Sequence, residues 1–168
     1  VAECNACMKR IVAAPTAGSC GVLPAVLLPL VEEREPETEV ILQSLYIAAG
    51  FGQVAAARAS VSGAQGGCQA EIGVASAMAA AALTHIMGGT GEQCAHAFAI
   101  ALGNLLGLVC DPVAGLVEIP CVKRNVIGAV NAVSAANMAL AGITAHIPAD
   151  EVIDAMGEIG DALPSSLR

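Results

Sequence analysis

Apolar residues along this chain recur mostly at helical spacing, and apolar and polar residues do not alternate over any long stretch. Gly88 and Gly89 mark the end of one predicted helix, and Thr90 followed by Gln93 fits a capping box for the next. The predicted helices cover residues 3–13, 23–33, 38–59, 68–87, 90–108, 121–144 and 148–159, with a short helix or turn over 112–119. The pattern therefore predicts an all-α fold.

The composition indicates how such helices would pack. Hydrophobic residues make up 56% of the chain, yet aromatic residues make up 2% and Trp is absent. Ala and Gly must therefore supply much of the core, which implies a compact bundle of closely approaching helices rather than a sheet. The 168 residues suit one domain over 1–168. Because the chain begins without Met and both ends stop abruptly, we expect a fragment of a longer protein.

The charge balance argues against one class of partner. Seven Lys and Arg stand against 15 Asp and Glu, a formal charge of −8, which is opposite to what nucleic acid would attract. The seven cysteines are an odd number without the spacing of a secreted scaffold. They are typical of free or metal-bound thiols in a reducing compartment, so we expect a cytoplasmic protein.

The mean hydropathy of +0.71 raises the question of a membrane. Three stretches without charged residues, 72–91, 93–110 and 125–149, are formally long enough to span one. Each contains a His, and their apolar content is largely Ala and Gly. Their flanks show no consistent basic side, and no aromatic belt is available. We therefore expect a buried bundle and no membrane partner, with a non-enzymatic membrane bundle as the alternative.

Three cysteines, Cys68, Cys110 and Cys121, each stand beside a helix-breaking pair or proline with helical sequence following. The unpaired N–H groups and partial positive charge of a helix N-terminus favour a thiolate over a thiol. Three such thiolates converging on one point would form a metal site. On spacing alone, however, buried cysteines that simply pack as small hydrophobic residues explain the pattern better.

Longer motifs change that balance. The strings APTAGSCGVLP, GCQAEIG, CDPVAGLVEIPC and RNVIGAVNA resemble the α chain, or α domain, of the iron–sulfur-dependent L-serine dehydratases, and the resemblance runs from about Cys4 to Arg168. It implies that Cys68, Cys110 and Cys121 hold a [4Fe–4S] cluster at helix N-termini, with one iron open to substrate. Convergence of the three sulfurs is the structural expectation.

The resemblance also implies an activity and partners. The implied enzyme is a lyase of amino-acid catabolism and gluconeogenesis that converts L-serine to pyruvate and ammonia, with the open iron acting as Lewis acid. A β domain or chain, which this sequence lacks, and a homo- or hetero-oligomer are implied as well. A cysteine desulfidase or a related iron–sulfur hydro-lyase would keep the same cysteines and is the alternative.

A second candidate site is the loop over residues 16–21, which precedes a helix. Its N–H groups and hydroxyls suit a carboxylate, although an ordinary Gly/Ser connection is the simpler explanation by itself. The resemblance favours substrate binding here, by Thr16, Gly18, Ser19 and Gly21.

The remaining polar residues leave alternatives open. Glu71, one turn after Cys68, could face the cluster or simply favour the first turn of its helix. Lys123 and Arg124 could offset the charge of a cluster, hold a carboxylate, or lie at the surface. The sequence identifies no general base. We expect Cys4 and Cys7 to be core or surface thiols and Cys94 to pack within its helix, and Cys20 is not among the ligands that the resemblance implies. Three histidines embedded in apolar helical sequence are expected to be core residues with satisfied polar groups: His85, His96 and His146.

Overall fold

The computed structural model describes residues 1–168 except Ile11 and residues 111–117. In this part of the chain there are eight α-helices and no strand, so the all-α prediction is confirmed. They are α1 (Ala2–Ala6), α2 (Val22–Arg34), α3 (Thr38–Arg58), α4 (Gly63–Gly66), α5 (Val74–Ile86), α6 (Gly91–Gly103), α7 (Glu118–Leu140) and α8 (Ala149–Ala162). A π-helical turn, Gln69–Gly73, leads directly into α5, and a 3₁₀ turn, Ser165–Leu167, follows α8.

The predicted helix boundaries agree with the observed ones where capping residues, prolines or glycines mark a helix start or end. The observed ends of α2, α3 and α8 lie within three residues of the predicted ones. The capping box at the start of α6 is confirmed, since the Thr90 hydroxyl accepts from the Gln93 N–H at 3.2 Å and the Gln93 side chain accepts from the Thr90 N–H at 2.9 Å. Caps of this kind satisfy N–H groups that a helix start leaves unpaired.

The predicted boundaries of three helices were wrong. The first helix ends at Ala6 because the Asn5 carboxamide pairs with both the N–H and the carbonyl of Val12, which turns the chain back. Helix α6 ends at Gly103 and not near residue 108, because the chain turns there towards Gly107, whose φ is +79°. Helix α7 begins before Cys121 and ends at Leu140. The predicted turn over 112–119 lies largely outside the described residues.

Helix α5 forms the centre of the bundle. Every residue from Val74 to Thr84 is buried, and α2, α3, α6 and α7 all pack around it. Most of these buried side chains are alanine methyl groups, which let neighbouring backbones approach closely. The composition therefore predicted the packing mode correctly.

Two polar residues bind the central helix to its neighbours. The Ser76 hydroxyl of α5 donates to the Gly128 carbonyl of α7 at 2.7 Å. The Asn131 side chain of α7 donates to the Ser76 hydroxyl at 2.9 Å and to the Ala101 carbonyl of α6 at 2.8 Å. These hydrogen bonds fix the register of three helices against one another.

One helix in the described part of the chain, α3, has the length and apolar composition to cross a membrane, with a mean hydropathy of 1.5 over a window that is 22% buried. It is not among the three stretches singled out from the sequence. Helices α5 and α6 have 13 residues each, fewer than the roughly 20 that a span requires. A single such helix is weak evidence for a membrane, and the expected absence of a membrane partner stays a prediction.

The Gln69 side chain joins the π-helical turn to α8 and to the segment that follows α6. This fully buried side chain donates to the Met156 carbonyl at 3.1 Å and accepts from the Gly107 N–H at 2.8 Å. We expect Gln69→Leu to lower the free energy of unfolding by about 2–4 kcal/mol, because two backbone groups would lose their partners in the interior. Urea unfolding measures this. The control is Gln43→Leu on the exposed face of α3, expected to change stability by less than about 0.5 kcal/mol; equal effects would contradict the assignment.

Candidate metal centre

The start of the π-helical turn meets the first turn of α7, and this contact brings two of the predicted ligands together. The sulfurs of Cys68 and Cys121 and one carboxylate oxygen of Glu71 all lie within 4.8 Å of one another. Cys68 is fully buried, and Cys121 is half-buried. Gly67, the residue before Cys68, lets the chain pass close to the backbone of Leu108. Its φ is +76°, and a Cβ there would lie 3.0 Å from the Leu108 carbonyl oxygen.

Cys110 reaches the same place from a third segment. The chain before it is fixed to the π-helical turn, since the Gln69 N–H donates to the Leu108 carbonyl at 2.8 Å. The Cys110 N–H donates to the Leu167 carbonyl at 2.8 Å. Its thiol lies close enough to Cys68 for that residue to raise the pKa of Cys110 through its charge and a hydrogen bond. The structure thus gathers all three predicted cysteines at one site, although Cys110 is not in the tightest group; that they bind a cluster stays a prediction.

Arg124 supplies a positive charge at this site. It lies on α7 just after Cys121, and its Nη1 donates to the Cys68 sulfur at 3.0 Å and to the Val109 carbonyl at 3.0 Å. Lys123, by contrast, is exposed. Of the two basic residues that the sequence left undecided, Arg124 therefore faces the cysteines.

The three thiols ionise differently. Hydrogen bonding with the Cys121 thiol, and secondly with Arg124, lowers the pKa of Cys68 to about 7 despite burial. Burial and the neighbouring Cys68 raise the pKa of Cys110. The hydrogen bond with Cys68 and burial raise the pKa of Cys121. Among the three thiols only Cys68 has a lowered pKa, first because of its hydrogen bond with the Cys121 thiol and then because the Arg124 guanidinium balances its charge. A bound metal cation would favour the thiolate at the other two. That the site holds three thiolates stays a prediction.

The loop over residues 16–21 lies directly beside Glu71. The Thr16 hydroxyl donates to the Glu71 carboxylate. A Cβ on Gly18 would lie 2.5 Å from a carboxylate oxygen of Glu71, so only glycine fits there without displacing it. The loop and the cysteines therefore share Glu71 as a common neighbour.

Several polar groups of this loop are already engaged. The Ser19 hydroxyl is buried, 3.0 Å from the Thr16 hydroxyl. The Gly21 N–H donates to the Asn125 side chain at 2.9 Å. Among the described residues, the N–H groups of Ala17 and Gly18 have no hydrogen-bond partner. These two backbone groups are therefore donors that the loop can offer a ligand, while the predicted role of the Thr16 and Ser19 side chains stays a prediction.

Asn125 is the residue that the sequence analysis missed. It is 5% exposed and bridges the loop to the metal-centre helix. Its carboxamide accepts from Gly21 and donates to the Gly18 carbonyl at 2.8 Å and to the Cys121 carbonyl at 2.7 Å. The available signal was a polar residue four positions after Cys121, which places both residues on the same face of the helix.

The cysteines and histidines not expected at the site lie elsewhere or are shielded. Cys20 is buried within the loop and accepts from the Asn5 side chain at 2.7 Å, and burial raises its pKa. Cys94 is buried in α6, whereas Cys4 and Cys7 are exposed. His85 and His96 are half-buried, with Gln43 and the Ala145 N–H as their partners. The expectation that His146 lies in the core was wrong: it is exposed, because α7 ends at Leu140 and His146 lies in the connection to α8.

The site is a candidate metal centre rich in thiols. It lies where the helices of the bundle meet, and it contains three cysteines, a carboxylate and a guanidinium. The family model described as serine dehydratase alpha chain matches residues 1–168. The chain therefore belongs to the serine dehydratase alpha chain family.

Characterised and inferred relatives resemble nearly the whole chain. It is 60% identical over 166 residues to the probable L-serine dehydratase, alpha chain, of Bacillus subtilis (strain 168), covering 99% of this chain and 55% of the relative. It is 51% identical to the L-serine dehydratase, alpha chain, of Peptoniphilus asaccharolyticus, covering 99% and 57%. It is 47% identical to the L-serine dehydratase TdcG of Escherichia coli (strain K12), covering 100% and 37%. The chain thus spans about half the length of the alpha chains, and less of the longer enzyme.

Proposed function

We propose that this chain forms the cluster-binding part of an iron–sulfur L-serine dehydratase, which eliminates water from L-serine. The observation that carries the proposal is the meeting of Cys68, Cys110 and Cys121 from three separate segments. The three cysteine thiols suit an iron–sulfur cluster, because soft thiolates are its usual ligands. Three thiolates leave one iron of a [4Fe–4S] cluster without a protein ligand. The family membership supports the same conclusion.

When bound, the cluster supplies an open iron that acts as a Lewis acid on the substrate hydroxyl. The chain's own residues hold and balance it: the three cysteines as ligands, and Arg124, which donates to Cys68, as the nearby positive charge. Arg124 also holds the Val109 carbonyl, which fixes the segment that delivers Cys110. Loss of the hydroxyl and of the α-proton leaves an enamine, which hydrolyses to pyruvate and ammonia.

The loop over residues 16–21 binds the substrate carboxylate in this proposal. The N–H groups of Ala17 and Gly18 are available for it, and the Thr16 hydroxyl holds Glu71 at the edge of the site. Successive backbone N–H groups form a concave site for anions. Asn125 keeps the loop at a fixed distance from Cys121 through the Gly18 carbonyl.

The partner is a β chain or β domain, as the naming of the relatives as alpha chains suggests. The assembled enzyme works as an oligomer in the reducing cytoplasm, where seven unpaired thiols persist. The chain's length relative to its relatives supports a requirement for further protein.

Anaerobic reconstitution of the complete enzyme, with its partner, tests the proposal. We expect iron and sulfide to restore the absorption of a cluster with about four irons per α chain, together with conversion of L-serine to pyruvate. L-Cysteine is assayed in parallel, since a desulfidase would prefer it. A reconstituted cluster without serine turnover would contradict the proposed reaction, and a complete enzyme that turns over serine without iron would contradict the role of the cysteines.

A further inference from the structure

Glu71 is the acidic residue of the site, and we propose that its carboxylate binds the α-ammonium group of the substrate. It would thereby select amino acids over hydroxy acids of the same shape. This inference rests on the proposed function and adds to it a residue that recognises the amino group.

The position of Glu71 is defined from three sides. One carboxylate oxygen lies within 4.8 Å of the sulfurs of Cys68 and Cys121. The Thr16 hydroxyl donates to Oε1. The second oxygen, Oε2, faces Gly63 at the start of α4, where a Cβ would lie 3.0 Å away. Two glycine backbones therefore approach the half-buried carboxylate and limit where it can lie at the edge of the metal centre.

The charge of Glu71 is unfavourable for the cysteines themselves. One of its carboxylate oxygens lies within 4.8 Å of the sulfurs of Cys68 and Cys121, so the carboxylate would repel both of them as thiolate ligands. If the residue only anchored Thr16, a glutamine would accept the same hydrogen bond without that repulsion. A carboxylate placed beside thiolate ligands therefore points to a cationic ligand.

The substrate supplies that cation. Serine carries three polar groups, of which the hydroxyl meets the metal and the carboxylate meets the loop in the proposed function. Its ammonium and carboxylate share one carbon, so their binding groups must be neighbours. Gly18, whose N–H is available, is also the residue packed against the Glu71 carboxylate. The described part of the site thus holds an anion acceptor and a cation acceptor side by side.

The test compares L-serine with L-glycerate, which has a hydroxyl in place of the amino group. The variant is Glu71→Gln in the complete reconstituted enzyme, and the readout is the dissociation constant of each ligand from its effect on the cluster absorption. We expect serine binding to weaken about ten- to a hundredfold, as for loss of a charge-assisted hydrogen bond, while glycerate binding stays within about threefold. The iron-to-protein ratio should equal that of the wild type.

Two further variants complete the design. Glu92→Gln removes an exposed carboxylate on α6 and should change neither constant. Glu71→Asp keeps the charge and should keep a preference for serine; it also preserves the test if Glu71→Gln retains no cluster. Equal weakening of both ligands would show a structural role and overturn the inference, as would unchanged serine binding. A wild-type cluster enzyme that neither binds nor converts L-serine would overturn the proposed function as well.

Discussion

Replacing Cys68 by alanine in the complete enzyme is expected to abolish retention of iron. Cys68 is fully buried at the centre of the group, close to both Cys121 and Cys110, and it alone among the three has a lowered pKa. Loss of residues that merely orient metal ligands costs about 10–100-fold in affinity or activity, so loss of a ligand should cost more than a hundredfold in turnover. The measurements are the iron-to-protein ratio after anaerobic reconstitution and the rate of pyruvate formation.

Cys94→Ala is the matched control, because Cys94 is also a buried cysteine but lies in α6 away from the site. It should lose some stability and keep its iron. The variant lacking both exposed cysteines, Cys4 and Cys7, should keep iron as well. Iron bound normally by Cys68→Ala, or lost from these controls, would show that different thiols hold the metal.

Asn125→Leu is expected to uncouple the loop from the cysteines. The change removes three hydrogen bonds of a buried side chain and leaves the Gly21 N–H and the Gly18 carbonyl without partners. With about 1–3 kcal/mol for each such group, the iron-free chain should lose about 2–5 kcal/mol of unfolding free energy. The KM for L-serine should rise, and reconstituted iron should be lost faster on dilution into chelator.

Asn131→Leu distinguishes this effect from general damage to α7. Asn131 lies on the same helix and makes the same number of donor bonds, but to Ser76 and Ala101 in the bundle. Its variant should be less stable to urea, yet should keep the wild-type KM and rate of iron loss. Identical behaviour of the two variants would mean that Asn125 is only a packing residue.

The sequence predicted those parts of the fold that local chemistry determines. Helix α6 starts at a capping box formed by Thr90 and Gln93, and α5 ends just before two consecutive glycines. The sequence did not predict a helix boundary that depends on a side-chain contact. The Asn5 side chain ends α1 by pairing with Val12, seven residues further along the chain. Hydrophobic spacing also carries no sign of whether a helix begins with a π-helical turn, because the same residues serve both.

The site was predictable in its residues and not in its geometry. Motif resemblance singled out the three cysteines, and the structure brings them together. It gave no indication that only Cys68 has a lowered pKa, which follows first from its hydrogen bond with the Cys121 thiol and then from the Arg124 guanidinium. The bridging role of Asn125 depends on contacts between residues more than a hundred positions apart, and a single sequence does not record them.

The π-helical turn after Cys68 makes the site sensitive to insertions and deletions. Such a turn holds one residue more than the α-helical turn it replaces, and each residue of an α-helix rotates the chain by about 100°. Removing one residue from Gln69–Gly73 would therefore leave α5 and its alanine core in place but swing Cys68 away from Cys121. The length of this turn must therefore stay constant for the metal centre to form.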